Sequence, residues 1–391
     1  MEVTKLFKLK LTQPQIEKVE YILNGLRGVY NLYIEKIEEV YKVFGNFLSA
    51  YEFNGIMNHE LRLKYPWIHE LPAKARIGCL LTVEKAYKRF FKGKAKKPHF
   101  RSKRKSPIRS FCFVKEGVRE VSDRVIWIPI LHEVRICEKD YFNPYDEITS
   151  GRIIKKADGY YMSLIIKRKN PKVLKNVART NPIGIDLGIR TYATISDGVT
   201  HTKIANPNKR ENVKRIESKI KRLKKVISNK IENNKKKGGT AIEKYHSKNI
   251  DKVQGRINKL YLKLTRIRED FIKKLVYFLV ARTKPEYICI EDLKITDMLK
   301  KEYRRIANNI AKCKWYYFRS HLTFKCKQYD IELRIADSEF KSSQICSHCG
   351  HEKSKLKLAT RTYECKHCGL VIDRDINAAI NLLKTSDYKL A

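Results

Sequence analysis

Four of the ten cysteines fall in two Cys-x-x-Cys pairs, Cys346-Ser-His-Cys349 and Cys365-Lys-His-Cys368, with fifteen residues between them. Two such knuckles bring four thiolates to the corners of a tetrahedron, the closed donor set of a structural Zn²⁺. Gly350 and Gly369 follow the second cysteine of each pair and permit the tight turns a knuckle needs. A pair of redox-active Cys-x-x-Cys motifs is the poorer reading, because neither opens a helix after a strand. With four sulfurs bound the ion has no open position, so its role is to fold the segment. His348 and His367, between the ligands, are left for surface or phosphate contacts.

Five residues after Cys368 the chain reaches Asp373, Arg374 and Asp375, at the mouth of a helical run, Ile-Asn-Ala-Ala-Ile-Asn-Leu-Leu. An aspartate at such a point caps a helix cheaply, so Asp375 alone reads equally well as an N-cap or as a ligand. Two other acids have less ordinary surroundings. Asp186 stands in Ile183-Gly184-Ile185-Asp186-Leu187-Gly188-Ile189, a buried strand whose alternation sends it to the face opposite Ile185 and Leu187. Glu291 ends Tyr-Ile-Cys-Ile-Glu, on one face with Tyr287 and Cys289, while Asp292 points the other way. A carboxylate on an apolar strand is costly unless a cation meets it. Asp186, Glu291 and Asp375, at strand or helix ends of one α/β domain, therefore suit Mg²⁺, two ions in all, with phosphate oxygens completing the shell.

The polyanion is implied by charge. Against 42 Asp and Glu stand 84 Lys and Arg, a formal net charge of +42. Such a chain repels itself until nucleic acid neutralises it. Residues 85–109 hold twelve Lys and Arg and no acid, and residues 209–237 hold thirteen against three Glu. Lys88, Arg89, Lys94, Lys96, Lys97, Lys221, Lys224 and Lys225 are candidates for phosphate contacts, because their spacing is irregular and they are mostly lysine. Lys74 and Arg76, near the start of the helix that also carries Lys88 and Arg89, are the candidates for reading sequence. The N-terminal stretch has no apolar signal core and no apolar run approaches a membrane span, and the six remaining cysteines read as reduced core thiols. These features suggest a cytoplasmic, nucleoid-associated protein with no membrane partner.

Several elements must carry these groups. Phe7, Leu9 and Leu11 alternate as a strand, and Thr12 with Pro14 opens a helix striped by Val19, Leu23, Leu26, Tyr30, Tyr33 and Ile37. A second helix spans about residues 74–91. Short strands follow over residues 110–169, including a hairpin at Asp158-Gly159 expected to turn as type I′, and these suggest a small β-barrel. Residues 170–182 read as a linker. Beyond it, strands alternate with helices, among them a basic helical hairpin broken at residues 235–239 and one helix over about residues 303–329.

These motifs, in this order, resemble the TnpB family, the transposon-encoded RNA-guided DNA endonucleases related to compact type V CRISPR effectors. The resemblance rests on IGIDLGIRTYATISDG, ICIEDLKI, EFKSSQICSHCG and YECKHCGLVIDRDINAAINL, and more weakly on NGLRGVYN and KAYKRFFKGKAKKPHF. It implies a multidomain α+β protein with a β-barrel wedge domain (residues 1–11 and 98–180) and an inserted helical recognition domain (12–97). A RuvC-like nuclease domain of ribonuclease-H fold (181–339 and 371–391) follows, with an inserted four-cysteine zinc ribbon that binds the target nucleic acid (340–370). The family's Asp-Glu-Asp triad falls on Asp186, Glu291 and Asp375. The implied partners are a guide RNA from the transposon end and a double-stranded DNA target, with one protein copy per guide, and the implied activity is R-loop formation and cleavage of both strands at one site. A nuclease-dead RNA-guided repressor needs the same basic surfaces but not the acids. A transposase or an accessory to one remains a third reading, and a plain zinc-ribbon DNA-binding factor would leave the buried acids without a role.

Overall fold

The computed structural model describes residues 2–138, 146–168, 178–238, 247–299, 304–353 and 360–391. Most of the expected linker at residues 170–182 and the tip of the basic hairpin lie outside them. The chain divides into two compact units, Met1–Pro171 and Lys172–Ala391.

In the first unit, strand β1 (Glu2–Lys10) leads into helix α1 (Gln13–Phe44). The Gln15 side chain accepts from the Thr12 amide at 3.0 Å, and Gly45 closes the helix in the left-handed region (φ 67°). Helices α2 (Ala50–His59) and α3 (Ala73–Phe91) pack with α1. Strands β2 (Ser110–Phe113), β3 (Arg119–Ser122), β4 (Val125–Ile128), β5 (His132–Ile136), β6 (Asp146–Lys156) and β7 (Gly159–Arg168) join β1 in one antiparallel sheet, ordered β2-β6-β7-β1-β5-β4-β3. Helices and sheet share one core, in which Phe7, Val19, Tyr33, Phe53, Val83, Phe113 and Ile126 are buried. Among the described residues no ladder joins the edge strands β2 and β3, so the sheet is open where a closed barrel was expected. The β6–β7 turn also differs. Lys156 pairs with Gly159, which leaves Ala157 and Asp158 as the loop, and only Gly159 has positive φ (134°), so the turn is not type I′.

The second unit is built on a six-stranded sheet of β8 (Ile183–Leu187), β9 (Thr191–Ser196), β10 (His201–Ala205), β11 (Tyr287–Glu291), β12 (Glu332–Ala336) and β15 (Tyr388–Leu390). Its order is β10-β9-β8-β11-β12-β15. Strands β8, β11 and β12 run parallel, and β9, β10 and β15 run antiparallel to their neighbours. Between β10 and β11 the basic helices α4 (Glu211–Lys236) and α5 (Lys248–Tyr277) zip along Val213, Ile220, Val253, Ile257 and Leu264. The single helix expected after β11 is two, α6 (Arg304–Cys313) and α7 (Trp315–Tyr329). Lys314 between them is left-handed (φ 54°), and its carbonyl accepts the first bond of α7, from Phe318, at 3.0 Å. The break lets Cys313, Trp315 and Phe318 all enter the core under the sheet with Ile183, Ile185 and Ile290. Beyond β12 come the cysteine module, with the hairpin β13 (Thr362–Glu364) and β14 (Val371–Asp373), and then helix α8 (Arg374–Lys384).

Helix α8 covers the other face of the sheet, packing across β8, β9 and β11. The contact is backbone on backbone: a Cβ at Gly184 would stand 2.1 Å from the Ala379 carbonyl oxygen and 2.6 Å from the Leu383 nitrogen. Only glycine fits there, and the glycine sets how low the helix sits. Gly255 on α5 has nothing within 4 Å of its would-be Cβ. Gly184→Ala is therefore expected to destabilise by about 2 kcal/mol or more through overpacking, and Gly255→Ala to stabilise by up to about 1 kcal/mol through helix propensity. Denaturant unfolding of the two variants checks the opposite signs.

Candidate active site and zinc module

The sheet register carries two of the three candidate acids to one place. Ile185 pairs in parallel with Ile290, and Asp186 and Glu291 are the next residues of their strands. Gly184, Asp186, Cys289 and Glu291 lie on the α8 face: Cys289 packs against Leu382, and the Tyr287 hydroxyl donates to the Leu383 carbonyl at 3.1 Å. The low seat of α8 over Gly184 then sets its first turn, with Asp375, above the end of β8. Asp186, Glu291 and Asp375 feel one another: burial raises the Asp186 carboxyl to about 7, and the charges of Asp375 and then Glu291 push the same way. Burial, and then Asp292, raises Glu291 as well.

The neighbouring acids are structural. The N-cap of α8 is Asp373, whose Oδ1 accepts from the backbone of Asp375 (3.0 Å) and Ile376 (3.2 Å). Its Oδ2 accepts from Lys203 Nζ at 2.6 Å. Asp292 is neutralised by Arg319 and Lys389. With Asp373 as cap, Asp375 is relieved of that role and only loosely balanced, by Arg374 at 3.7 Å and Arg361 at 3.9 Å. Asp186 and Glu291 have no Lys or Arg ion-pair partner among the described residues. Three converging carboxylates with so little cationic compensation are an oxygen donor set fitted to a divalent cation. They do not draw together as tightly as the cysteines do, and ligands that share two ions about 3.5–4 Å apart need not.

The four cysteines are already gathered. Their sulfurs all lie within 4.8 Å of one another, with Cys346 and Cys349 each 3.6 Å from a cysteine of the opposite knuckle, Cys368 and Cys365 respectively. A tetrahedron of about 2.3 Å Zn–S bonds has edges of about 3.8 Å, so the cage matches zinc. The knuckles repeat one hydrogen-bond pattern. The amide of the first cysteine donates to the carbonyl five residues on, His351 or Leu370, and its own carbonyl accepts from the left-handed glycine, Gly350 (φ 75°) or Gly369 (φ 74°). Burial and then the neighbouring thiols push the Cys368 thiol up to about 12, while Cys365 is held near 6, chiefly by the backbone N–H of Cys368. Thiols this close do not all ionise without a cation among them. His348 and His367 are exposed, and His367 stacks on His351 with ring centroids 5.5 Å apart.

Sequence reasoning missed the link between the two sites. Asn377 and Asn381 sit in what reads as a helical repeat, yet both are buried. Asn377 accepts from the Ser347 amide (2.9 Å) and donates to the Ile345 carbonyl (2.7 Å). Asn381 donates to the carbonyls of Ser342 (2.7 Å) and Ile345 (2.6 Å). Lys384 adds a bond to the Ser347 carbonyl at 2.8 Å. One face of α8 is thus stitched to the first zinc knuckle. The available signal was the i, i+4 spacing of two asparagines in an otherwise apolar helix, which puts both on one face.

The candidate nucleic-acid residues divide. Lys74, Lys88, Arg89, Lys94, Lys96, Lys97, Lys221, Lys224 and Lys225 are exposed. Lys88 and Lys97 pair with Glu84 and Glu38, and Lys224 lies 5.4 Å from the centre of the Tyr261 ring. Arg76 is different. It is 8% exposed and donates to Asn58 Oδ1 at 3.2 Å, so it is a core side chain and not one poised to read a base edge. Its place in the apolar stripe of α3 buries it.

A parallel β8-β11-β12 core flanked by antiparallel β9 and β10, with carboxylates at the strand ends, defines a ribonuclease-H-type nuclease fold carrying a four-cysteine ribbon. Known proteins agree. A model described as Cas12f1-like, TNB domain, matches residues 315–382, and the OrfB_IS605 model, described as "Probable transposase", matches residues 165–302. A Streptomyces pristinaespiralis protein provisionally named an RNA-guided DNA endonuclease is 32% identical over 228 residues, 58% of this chain and 50% of that protein. The similarly named InsQ of Escherichia coli K12 is 22% identical over 338 residues, 83% of this chain and 77% of InsQ. The match thus spans half the length of the Streptomyces relative. The structure of Cas12f1 with its guide RNA and target DNA superposes with a TM-score of 0.60 at 17% identity, covering 97% of this chain and 84% of that one, which establishes the shared fold. Together these matches support a protein of the TnpB type.

Two outcomes follow from this geometry. Asn377→Ala leaves the Ser347 amide unpaired and should cost about 1–3 kcal/mol, while elemental analysis still finds one zinc per chain. Loss of the zinc would mean that the helix holds the knuckle together and not the reverse. Asp186 binds its proton more tightly folded than unfolded, so without divalent ions its contribution opposes folding increasingly from about pH 4 to about 7. Asp186→Asn should remove that dependence and raise the melting temperature in chelator at pH 8. An unchanged pH profile would contradict the assignment.

Proposed function

We propose that this protein is a metal-dependent, RNA-guided DNA endonuclease whose reaction centre is Asp186, Glu291 and Asp375. The observation that carries the reading is the convergence of these carboxylates on one face of the sheet while Asp292 and Asp373 are taken up by structural contacts. Asp186, Glu291 and Asp375 would hold Mg²⁺, two ions in all. When bound, the metal supplies charge stabilisation for displacement at phosphorus. The protein's part is to fix the acids before substrate arrives. The parallel register aligns Asp186 with Glu291, and Asp373 fixes the start of α8 so that Asp375 faces them. The zinc, on Cys346, Cys349, Cys365 and Cys368, acts through α8 and takes no part in the reaction.

The partners are a guide RNA from the transposon end and a double-stranded DNA target. The names of the relatives and the Cas12f1 complex support them, as does a formal charge of +42. On this reading guide pairing with one strand opens an R-loop, the protein reads a short adjacent motif, and the single site cuts both strands in turn. The exposed lysines of residues 88–97 and of α4 contact phosphates, and Lys74 is the remaining candidate near the motif.

With guide RNA, target DNA and Mg²⁺, Asp186→Ala, Glu291→Ala and Asp375→Ala should each reduce cleavage by at least about 100-fold, the scale of losing one preorganised charge-stabilising group. Guided binding should persist in gel shifts. Asp292→Ala and Asp373→Ala should retain measurable cleavage. Full activity in Asp375→Ala with loss in Asp373→Ala would assign the third acid wrongly.

A further inference from the structure

We propose that the C-terminal ends of α1 and α3 form a stacking site for an unpaired nucleobase of a single-stranded nucleic acid. A cleft of about 480 Å³ opens there, lined by Tyr41, Lys42, Tyr87, Phe90, Phe91 and Lys97. Tyr41 and Phe91 are half exposed, 50% and 49%, with ring centroids 5.9 Å apart and planes splayed by 30°. Aromatic faces left open to water on a folded surface mark a binding site when they cluster. The rim chooses the ligand: Lys42 and Lys97 line the cleft, Lys92, Lys94 and Lys96 follow on the same segment, and Glu38 is the one acid lining it. Glu38 holds Lys97 at 2.9 Å, a pair that an arriving phosphate can replace. Flat apolar faces inside a cationic rim match a strand of stacked bases and phosphates.

A second observation points to the base. Tyr87 is 2% exposed and its buried hydroxyl has no hydrogen-bond partner among the described residues. Burial, and then the charge of Glu38, raises this phenol to about 12, so it keeps its proton to donate. An orphaned buried hydroxyl is unfavourable, and a base carbonyl or ring nitrogen entering the cleft would satisfy it. This inference rests on the nucleic-acid part of the proposed function and not on cleavage.

The test uses the full chain without divalent ions, with fifteen-residue dT and rU probes that each carry one 2-aminopurine. Wild type should quench the fluorescent base. Tyr41→Leu with Phe91→Leu, which keeps apolar bulk but removes the rings, should abolish the quench and weaken binding about tenfold, within the range of one base–aromatic stack, with the salt dependence unchanged. Tyr87→Phe, which removes one oxygen and leaves the packing intact, should weaken binding several-fold and keeps the test decisive if the double variant fails to fold. Whichever probe shows the larger loss identifies the strand as DNA or RNA. Equal affinity in Tyr87→Phe and in a folded double variant would overturn the proposal. So would loss confined to the salt slope, or a change of oligomeric state by light scattering with strand affinity intact, which would make the cleft a contact between copies. Asp375→Ala should quench like wild type, so the stacking site and the nuclease assignment fail separately.

Discussion

Helix α8 lies so close to β8 that its backbone fills the space a side chain at position 184 would need. Much of the second unit depends on that contact. It places the α8 face of the sheet, and with it Asp186 and Glu291, under the helix that carries Asp375 in its first turn. The opposite side of the helix is held by Asn377 and Asn381, whose side-chain amides bond the backbone at and just before the first knuckle. Buried amides bonded in this way are sensitive to direction as well as distance. A shift of α8 would leave the Ser347 amide unpaired, so the zinc ribbon acts as an anchor for the third acid.

The two centres solve opposite electrostatic problems. Four thiols gathered within 4.8 Å of one another are stable as thiolates only around a cation, and the knuckles bring them to that spacing. The carboxylates are less tightly gathered than the thiols, and burial with the charges of Asp375 and Glu291 raises the Asp186 carboxyl to about 7. A centre left under-compensated in this way retains an unfavourable charge distribution. Nearby acids with no such role are neutralised by Lys203, Arg319 and Lys389. The acids are thus sorted into paired ones, Asp292 and Asp373, and under-compensated ones, Asp186, Glu291 and Asp375.

Much of this was legible in the sequence. The cysteine spacing, the glycine-flanked Asp186 strand and the faces of Glu291 and Asp292 rest on local periodicity, and local periodicity survives folding. The division of labour between Asp373 and Asp375 was not legible, because a cap depends on where the first helical φ/ψ falls and the two aspartates are two residues apart. Arg76 read as a surface cation from its residue type, but the helix phase that buries Ala75, Cys79 and Leu80 also buries it. The break at Lys314 puts a non-glycine residue at positive φ, and tertiary packing holds it there. Strand β15 is too short for alternation to show. Asn377 and Asn381 looked like helix filler, since their partners lie thirty or more residues away.

The most direct test is anomalous diffraction from crystals of the protein with guide RNA, target DNA and Mn²⁺, an oxygen-preferring stand-in for Mg²⁺. The account predicts Mn²⁺ peaks within about 2.0–2.3 Å of carboxylate oxygens of Asp186, Glu291 and Asp375, with the target phosphate on the same ions and zinc alone among the four cysteines. Peaks on Asp292 or Asp373 instead, or a phosphate seated away from Asp186, would contradict it.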